Sequence, residues 1–298
     1  MSKVVPLQEI RKFFRDGYTV AIGGFAFHRH PMALVREVAR MGLKDLTLQG
    51  WNNGDDVDLL CAVDAVKRVE TSYVGMVMFG LARNYRRAVE SGRITVAEYT
   101  EATALDRFRA GAFGIPFFPA RGLGGSDILT YNSDIKTIEC PFTGERLAAI
   151  PAAVPDVALI HAHYADEDGN VLMHKRRLRE NEADALIAKA AKHTIVSVEK
   201  VVSRDYVENH PFDVWLPAHD VSAVVELPFG AHPNGNDLFY DTDVPHLERY
   251  VEASKDPESM KRYLDEFVFG VSSHDEYLNK ALTPADMVRL QKGVNIVG

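Results

Sequence analysis

Residues 22–37, IGGFAFHRHPMALVRE, gather the groups of this chain best suited to handling negative charge. Gly23 and Gly24 stand between an apolar, β-branched stretch and a helical stripe. Paired glycines there permit positive φ and let backbone amides approach a ligand closely. The helix N-terminus that follows adds its positive dipole end, which suits a phosphate, a carboxylate or an oxyanion. His28, Arg29 and His30 put side-chain donors beside the loop, which Phe25 completes. Two readings are open on physics alone: an anion-binding loop, or a tight turn with a solvated basic stretch. The spacing is neither GxGxxG nor a Walker loop.

A second group is WNNGDD (51–56), where Asn52, Asn53, Asp55 and Asp56 flank a glycine after a strand. Such residues most often satisfy their own backbone in Asx-type turns, and two carboxylates are too few to define a metal site. Ser72 and Tyr73 end the next strand. His161 and His163 alternate along a strand and share a face, and His28 and His30 are two apart in a loop. Neither pair has a third ligand at a fitting spacing, so both read as hydrogen-bonding histidines and no metal is expected. DEDGN (166–170) is a turn. KRRLRE (175–180) is a short basic run, read as a solvated or subunit-facing loop. Cys61 and Cys140 form no CxxC pair, which argues against a disulfide framework or a cysteine zinc cluster.

The elements that must hold these groups follow a βα rhythm. Apolar strands are expected at 19–25, 46–51, 67–75, 94–99, 156–165, 194–202 and 221–228. Helical stripes fall between them at 31–42, 57–66, 82–92, 102–114 and 180–193. Alternation of this kind predicts an α/β fold: an open, mostly parallel sheet with helices on both faces. Residues 116–155 are rich in proline, glycine and polar residues and read as loop. A charged, aromatic tail from about 230 to 298 carries helices near 257–268 and 284–292. With no repeat, low-complexity tract or linker, one domain over 1–298 is expected.

With 298 residues the chain is long enough for a sizeable core. Its 34 basic and 42 acidic residues give a net charge of −8, which offers no footprint for nucleic acid or an anionic membrane. No stretch approaches the ~18 apolar residues of a membrane span, and MSKVVPLQEI shows no secretory pattern. A cytoplasmic protein is expected.

DGYTVAIGGFAFHRHPMALVRE resembles the opening of the α (A) subunit of family I CoA-transferases, glutaconate CoA-transferase in particular. The resemblance continues through KDLTLQGWNNGDDVDLL, VKRVETSYVG, RFRAGAFGIPFFPARG, HAHYADEDGNV, AAKHTIVSVEKVV, VVELPFGAHPNGN and HDEYLNK, nearly the whole chain. It implies the CoA-transferase type of α/β fold, a β subunit partner of similar fold, and an active site at the α/β junction. It also implies an acyl-CoA substrate exchanging CoA with a carboxylic acid, with no tightly bound cofactor. In such enzymes a glutamate attacks the thioester, giving an acyl anhydride and then a glutamyl-CoA thioester. In two-subunit members that glutamate lies on β. Glu180-Asn181 is the nearest lookalike here, and its position suggests a helix start instead.

The same resemblance places Gly23, Gly24 and Phe25 at the thioester, the asparagines of WNNGDD near the active site, and Ser72 and Tyr73 along the cleft. It also puts Glu101 in a slot where the transferases carry glutamine. A glutamine amide donates to a developing oxyanion without adding charge; a carboxylate donates only when protonated. Glu101 therefore either has a raised pKa or performs base chemistry. Taken without the family, it reads as an acid favoured by a helix N-terminus. Glutamate here, with arginine at the place of Arg121, also resembles the α subunit of a transferase-like hydrolase that opens a steroid ring of a CoA thioester. There the glutamate acts as base and the β nucleophile is missing.

Overall fold

The computed structural model describes residues 2–121, 123, 125–174 and 181–293. Seven parallel strands build the main sheet: β1 (Thr19–Ile22), β2 (Leu46–Gln49), β3 (Val66–Thr71), β4 (Thr95–Glu98), β5 (Val157–Ala165), β6 (His193–Val201) and β7 (Ala223–Glu226). Their order is β7-β6-β5-β1-β2-β3-β4. Two short strands, Val171–Leu172 and Val214–Leu216, add antiparallel pairs beyond the end of β5, making nine strands. Chain order proceeds outward on one side from β1 through β2 and β3 to β4, and on the other side from β5 through β6 to β7. The order thus reverses between β1 and β5, the place where open α/β sheets hold ligands.

Helices α1 (Met32–Arg40), α2 (Asp55–Ala62), α3 (Arg83–Glu90), α4 (Glu101–Ala112) and α5 (Asn181–Ala190) follow strands as the periodicity predicts. The two-residue strand period divides the core between the two faces of the sheet. Val20 and Ile22 of β1 join the large cluster containing Leu34 and Val38 of α1 and Leu59 and Leu60 of α2. Ala21, between them, packs instead with Ala158, Phe108 of α4 and Ile187 of α5. Small alanines on that second face let α4 and α5 approach closely. Gly111 also lets α4 sit close: a Cβ there would stand 2.0 Å from the carbonyl oxygen of Ala153 and 3.0 Å from Ala190 Cβ of α5.

Two regions depart from the sequence expectation. Residues 116–155 are not simply loop, since Phe117–Ala120, Lys136–Glu139 and Arg146–Pro151 form a separate antiparallel sheet. Its strands are short and mostly exposed, so little apolar alternation marks them. The tail contains four α-helices rather than two: α6 (Val244–Ala253), α7 (Pro257–Leu264), α8 (His274–Ala281) and α9 (Pro284–Gly293). Leu247, Tyr250, Tyr263, Phe267 and Tyr277 of this tail are buried in the same cluster as α1. Among the described residues, no helix is long and apolar enough to cross a membrane.

Candidate active site

The glycine loop, the asparagine turn, Ser72–Tyr73 and Glu101 all follow the carboxyl ends of adjacent parallel strands. The loop follows β1, the turn β2, Ser72 and Tyr73 β3, and Glu101 β4. Parallel pairing of those strands places the four segments along one edge of the sheet. Phe25 bridges to Asn52, and its ring lies 4.9 Å from that of Trp51. Asn52 Nδ2 stands 3.4 Å from Glu101 Oε1. The Asn52 side-chain oxygen is buried with no hydrogen-bond partner among the described residues.

Glu101 is exposed and opens α4 directly after its N-cap, Thr100. Thr100 and Thr103 cap reciprocally, each side chain accepting the other residue's backbone N–H. Further along, Arg107 fastens the helix to the sheet. It donates to Glu70 Oε2 at 2.6 Å and lies 4.3 Å from the centre of the Tyr99 ring. Although burial opposes ionisation of Glu70, the charges and donors of Arg107, Arg68 and Gln49 hold its carboxyl below the usual range.

Of the two readings left open for the glycine loop, its hydrogen bonds bear on the anion-binding one. The amides expected to face an anion are engaged within the protein: Gly23 N–H with Leu159 O, Gly24 N–H with Asp184 Oδ1, and Phe25 N–H with His28 O. In the first turn of α1, Ala33 N–H also donates within the protein, to Gly230 O. The glycines are needed for packing. Gly24 has φ +103°, and a Cβ on it would come within 2.7 Å of the His30 backbone nitrogen.

Nor are the basic residues beside the loop a solvated cluster. Arg29 is fully buried, and its Nη1 donates to Asp184 Oδ2 at 2.5 Å. His30 is fully buried too; its Nδ1 lies 2.9 Å from Gly23 O and 3.3 Å from Asp56 Oδ2. Burial alone would lower the pKa of His30. The charge and hydrogen bond of Asp56, with help from Asp55 and the Gly23 carbonyl, outweigh it and raise the value to about 9. Burial pushes Asp55 up to about 6, with the His30 charge opposing, and Asn234 donates to it. Only His28 of the three is substantially exposed; burial lowers its pKa, and Asp237 lies 3.9 Å away.

The remaining site residues divide in the same way. Asn53 is buried and donates to Asp56 Oδ2 at 2.7 Å, so it shapes the turn. Ser72 Oγ donates to the Trp51 carbonyl. Tyr73 is partly exposed at the rim. Among the described residues, Arg121 makes its ion pair with Glu145 rather than with Glu101. It lies on the surface beyond the small antiparallel sheet, where Glu145 occupies its guanidinium from Nε and Nη2 at 2.9 Å. Glu145 therefore takes the guanidinium in a two-point pairing. The basic run at 175–180, and Glu180 with it, lie outside the described residues.

His161 and His163 make hydrogen bonds, as their strand spacing suggests. His161 sits between Ser197 Oγ and Glu199 Oε1, and His163 Nδ1 accepts the His174 N–H. Asp184 is the site residue that sequence reasoning missed. Its signal was an acid among Ala183, Ile187 and Ala188 on an apolar helix face, where a buried carboxylate requires a donor or a cation.

Comparison with known proteins supplies the family. Residues 6–227 match the model of the Coenzyme A transferase family. The chain is 35% identical to the α (A) subunit of glutaconate CoA-transferase from Acidaminococcus fermentans, over 94% of this chain and 92% of that one. The crystal structure of that enzyme superposes with a TM-score of 0.92, covering 97% of this chain and 95% of its counterpart. An uncharacterized protein of Archaeoglobus fulgidus is 38% identical over 91% of this chain, which spans only 60% of its length. The cholesterol ring-cleaving hydrolase IpdA subunit of Rhodococcus jostii is 32% identical over 93% of this chain and 94% of its own. The match over residues 6–227, and similarity along nearly the whole chain to one subunit of a transferase, place this protein in the Coenzyme A transferase family.

Proposed function

We propose that the chain is the α (A) subunit of a heteromeric, cytoplasmic CoA-transferase that exchanges CoA between an acyl-CoA and a carboxylic acid. One observation carries this reading: similarity to the corresponding subunit of glutaconate CoA-transferase, in sequence and fold, runs almost from end to end. The β subunit would supply the nucleophilic glutamate. Its carboxylate attacks the thioester carbonyl and CoA thiolate leaves, giving a mixed anhydride. The thiolate then attacks the glutamyl carbonyl of that anhydride, releasing the first acid and leaving CoA on the enzyme. An acceptor carboxylate reverses the sequence. CoA is a substrate here, and no bound cofactor is required.

In this half of the site, Phe25 and Trp51 would wall the acyl group, and Glu101 with Asn52 would meet it at the rim. The packed glycine loop would supply a close-fitting surface rather than free amides. Gly23, Gly24, Arg29 and Asn53 would thus shape the site, with His28, Ser72 and Tyr73 along its edge. Arg121 would reach the acyl group only after exchanging Glu145 for substrate.

A second reading rests on Glu101 itself. A carboxylate in that place accepts a proton from water as a general base, and the ring-cleaving relative is 32% identical over most of the chain. Under this reading the complex hydrolyses a carbon–carbon bond of a cyclic acyl-CoA. Incubating the α/β complex with a panel of acyl-CoAs, with and without acceptor acids, separates the two by mass spectrometry. New thioesters that require an acceptor, at constant total thioester, establish transfer. A thioester that gains one water without an acceptor establishes hydrolysis.

A further inference from the structure

His232, Asp243 and His246 play no part in the chemistry above, yet they form a separate buried cluster. One donor atom of each lies within 4.8 Å of the other two. His232 lies in the turn after β7. Asp243 is the N-cap residue of α6, and His246 follows three residues later in its first turn, so the last two share one side of the chain.

The outer nitrogen of each imidazole is already held. His232 Nδ1 lies 2.8 Å from the Tyr277 hydroxyl, and His246 Nε2 lies 2.9 Å from the Tyr263 hydroxyl. Metal-ligating histidines are oriented in this way, by a partner on the nitrogen that does not face the ion. His232 Nε2 and His246 Nδ1 are the ring nitrogens left by those hydroxyls. His232 Nε2 stands 3.0 Å from Asp243 Oδ2, near the ~3.3 Å edge of a tetrahedron with ~2.0–2.1 Å bonds. The other oxygen of Asp243 receives Arg289 Nη2 at 3.3 Å, an outer partner for the carboxylate. Finally, a cavity of about 370 Å³ opens against Asp243 and His246, with Arg249 and Arg289 also in its wall. It leaves room for one further ligand, and its arginines favour an anionic one.

We propose that His232, Asp243 and His246 bind a divalent first-row transition ion, with water, hydroxide or a small anion from the cavity completing the site. Two imidazoles and one carboxylate suit zinc rather than calcium or magnesium, which take oxygen ligands. The ion clips the start of α6 to the turn after β7, whose Asn234 reaches Asp55 beneath the glycine loop.

The test uses the whole α/β complex, stripped with a chelator and titrated with Zn²⁺ by calorimetry. One zinc per copy of this chain is expected. Affinity falls at least ~100-fold in both His246→Gln and Asp243→Asn, and by about 10–100-fold in Tyr263→Phe, which loses only an outer hydroxyl. Circular dichroism establishes that each variant is folded. X-ray absorption at the zinc edge of the wild-type complex needs no variant, and two imidazole ligands are expected there. Absence of bound zinc, a spectrum without imidazole, or unchanged affinity in folded His246→Gln and Asp243→Asn overturns the proposal.

Discussion

The carboxylate of Asp184 holds the backbone N–H of Gly24 at 2.8 Å, across 160 positions of chain. Its second oxygen takes Arg29 at 2.5 Å, and all of these groups are buried. One acid in the first turns of α5 therefore fixes the conformation of a loop that follows β1. Removing one member of a buried charge pair typically costs ~3–5 kcal/mol, because the other charge is left uncompensated.

Asp184→Ala is accordingly expected to cost ~3–5 kcal/mol in chemical denaturation. Asp184→Asn keeps an acceptor for Gly24 but not the countercharge for Arg29, so it should fall between wild type and alanine. Equal stability of all three proteins would refute the tether.

Gly24→Ala tests the same loop from the other side. Positive φ and the 2.7 Å approach to the His30 nitrogen both oppose a side chain. Strain of about 1–3 kcal/mol is expected from the backbone conformation alone, and the steric contact adds to it. Gly17→Ala makes a useful control: φ is +76° there, but nothing lies within 4 Å of the added carbon. Denaturant midpoints should rank wild type above Gly17→Ala, and Gly17→Ala above Gly24→Ala.

His30 sets an alkaline limit. Its pKa of about 9 in the folded chain lies above the ~6.5 of an unfolded histidine. The stabilisation it contributes is therefore complete below about pH 6.5 and is lost as pH rises through about 9. Asp55, raised to about 6, has the same sign but acts at lower pH. Melting temperatures measured from pH 6.5 to 9.5 should fall more steeply for wild type than for His30→Gln. Parallel curves would show that His30 is not charged in the folded protein.

Glu101 carries the chemical prediction. In the α/β complex, Glu101→Ala should reduce turnover at least ~100-fold, the scale of a lost general base or oxyanion partner. Glu101→Gln then separates the mechanisms. A transferase should retain much of its rate with an amide there, whereas a hydrolase that needs a base should lose as much as with alanine. Because Glu101 is exposed, neither substitution should move the melting temperature appreciably. Full activity in Glu101→Ala would remove this residue from the mechanism.

Arg121→Ala should leave the melting temperature of the chain unchanged, since its ion pair with Glu145 is on the surface. A rise in KM for an acyl-CoA bearing a distal carboxylate, absent for an uncharged acyl-CoA, would show that Arg121 exchanges Glu145 for substrate. Unchanged kinetics with both would leave it a surface residue.

Local patterning was enough to define the architecture of the main sheet. Strand runs such as TVAI and DVALIHAHYA, with amphipathic stripes between them, can bury their apolar residues only in a parallel sheet covered on both faces. Family-like segments in order along the chain also located the glycine loop, the asparagine turn and Glu101. Each follows a strand, and those strands proved to be neighbours. The small antiparallel sheet at 116–155 escaped because two of its strands are short and largely exposed, and the third buries a run, Ala148 to Ile150, rather than alternating.

Which polar groups stay free, by contrast, depends on packing between distant parts of the chain. Arg29 and His30 look alike in a basic tripeptide with His28, yet Asp184 and Asp56 bury two of the three. Gly24 looks like an offered amide until Asp184, 160 residues later, accepts its N–H. The physical reason is common to all of them. Neighbouring residues fix backbone preference and apolar period, whereas the partner of a buried charge arrives from any distance along the chain and has no short-range signature.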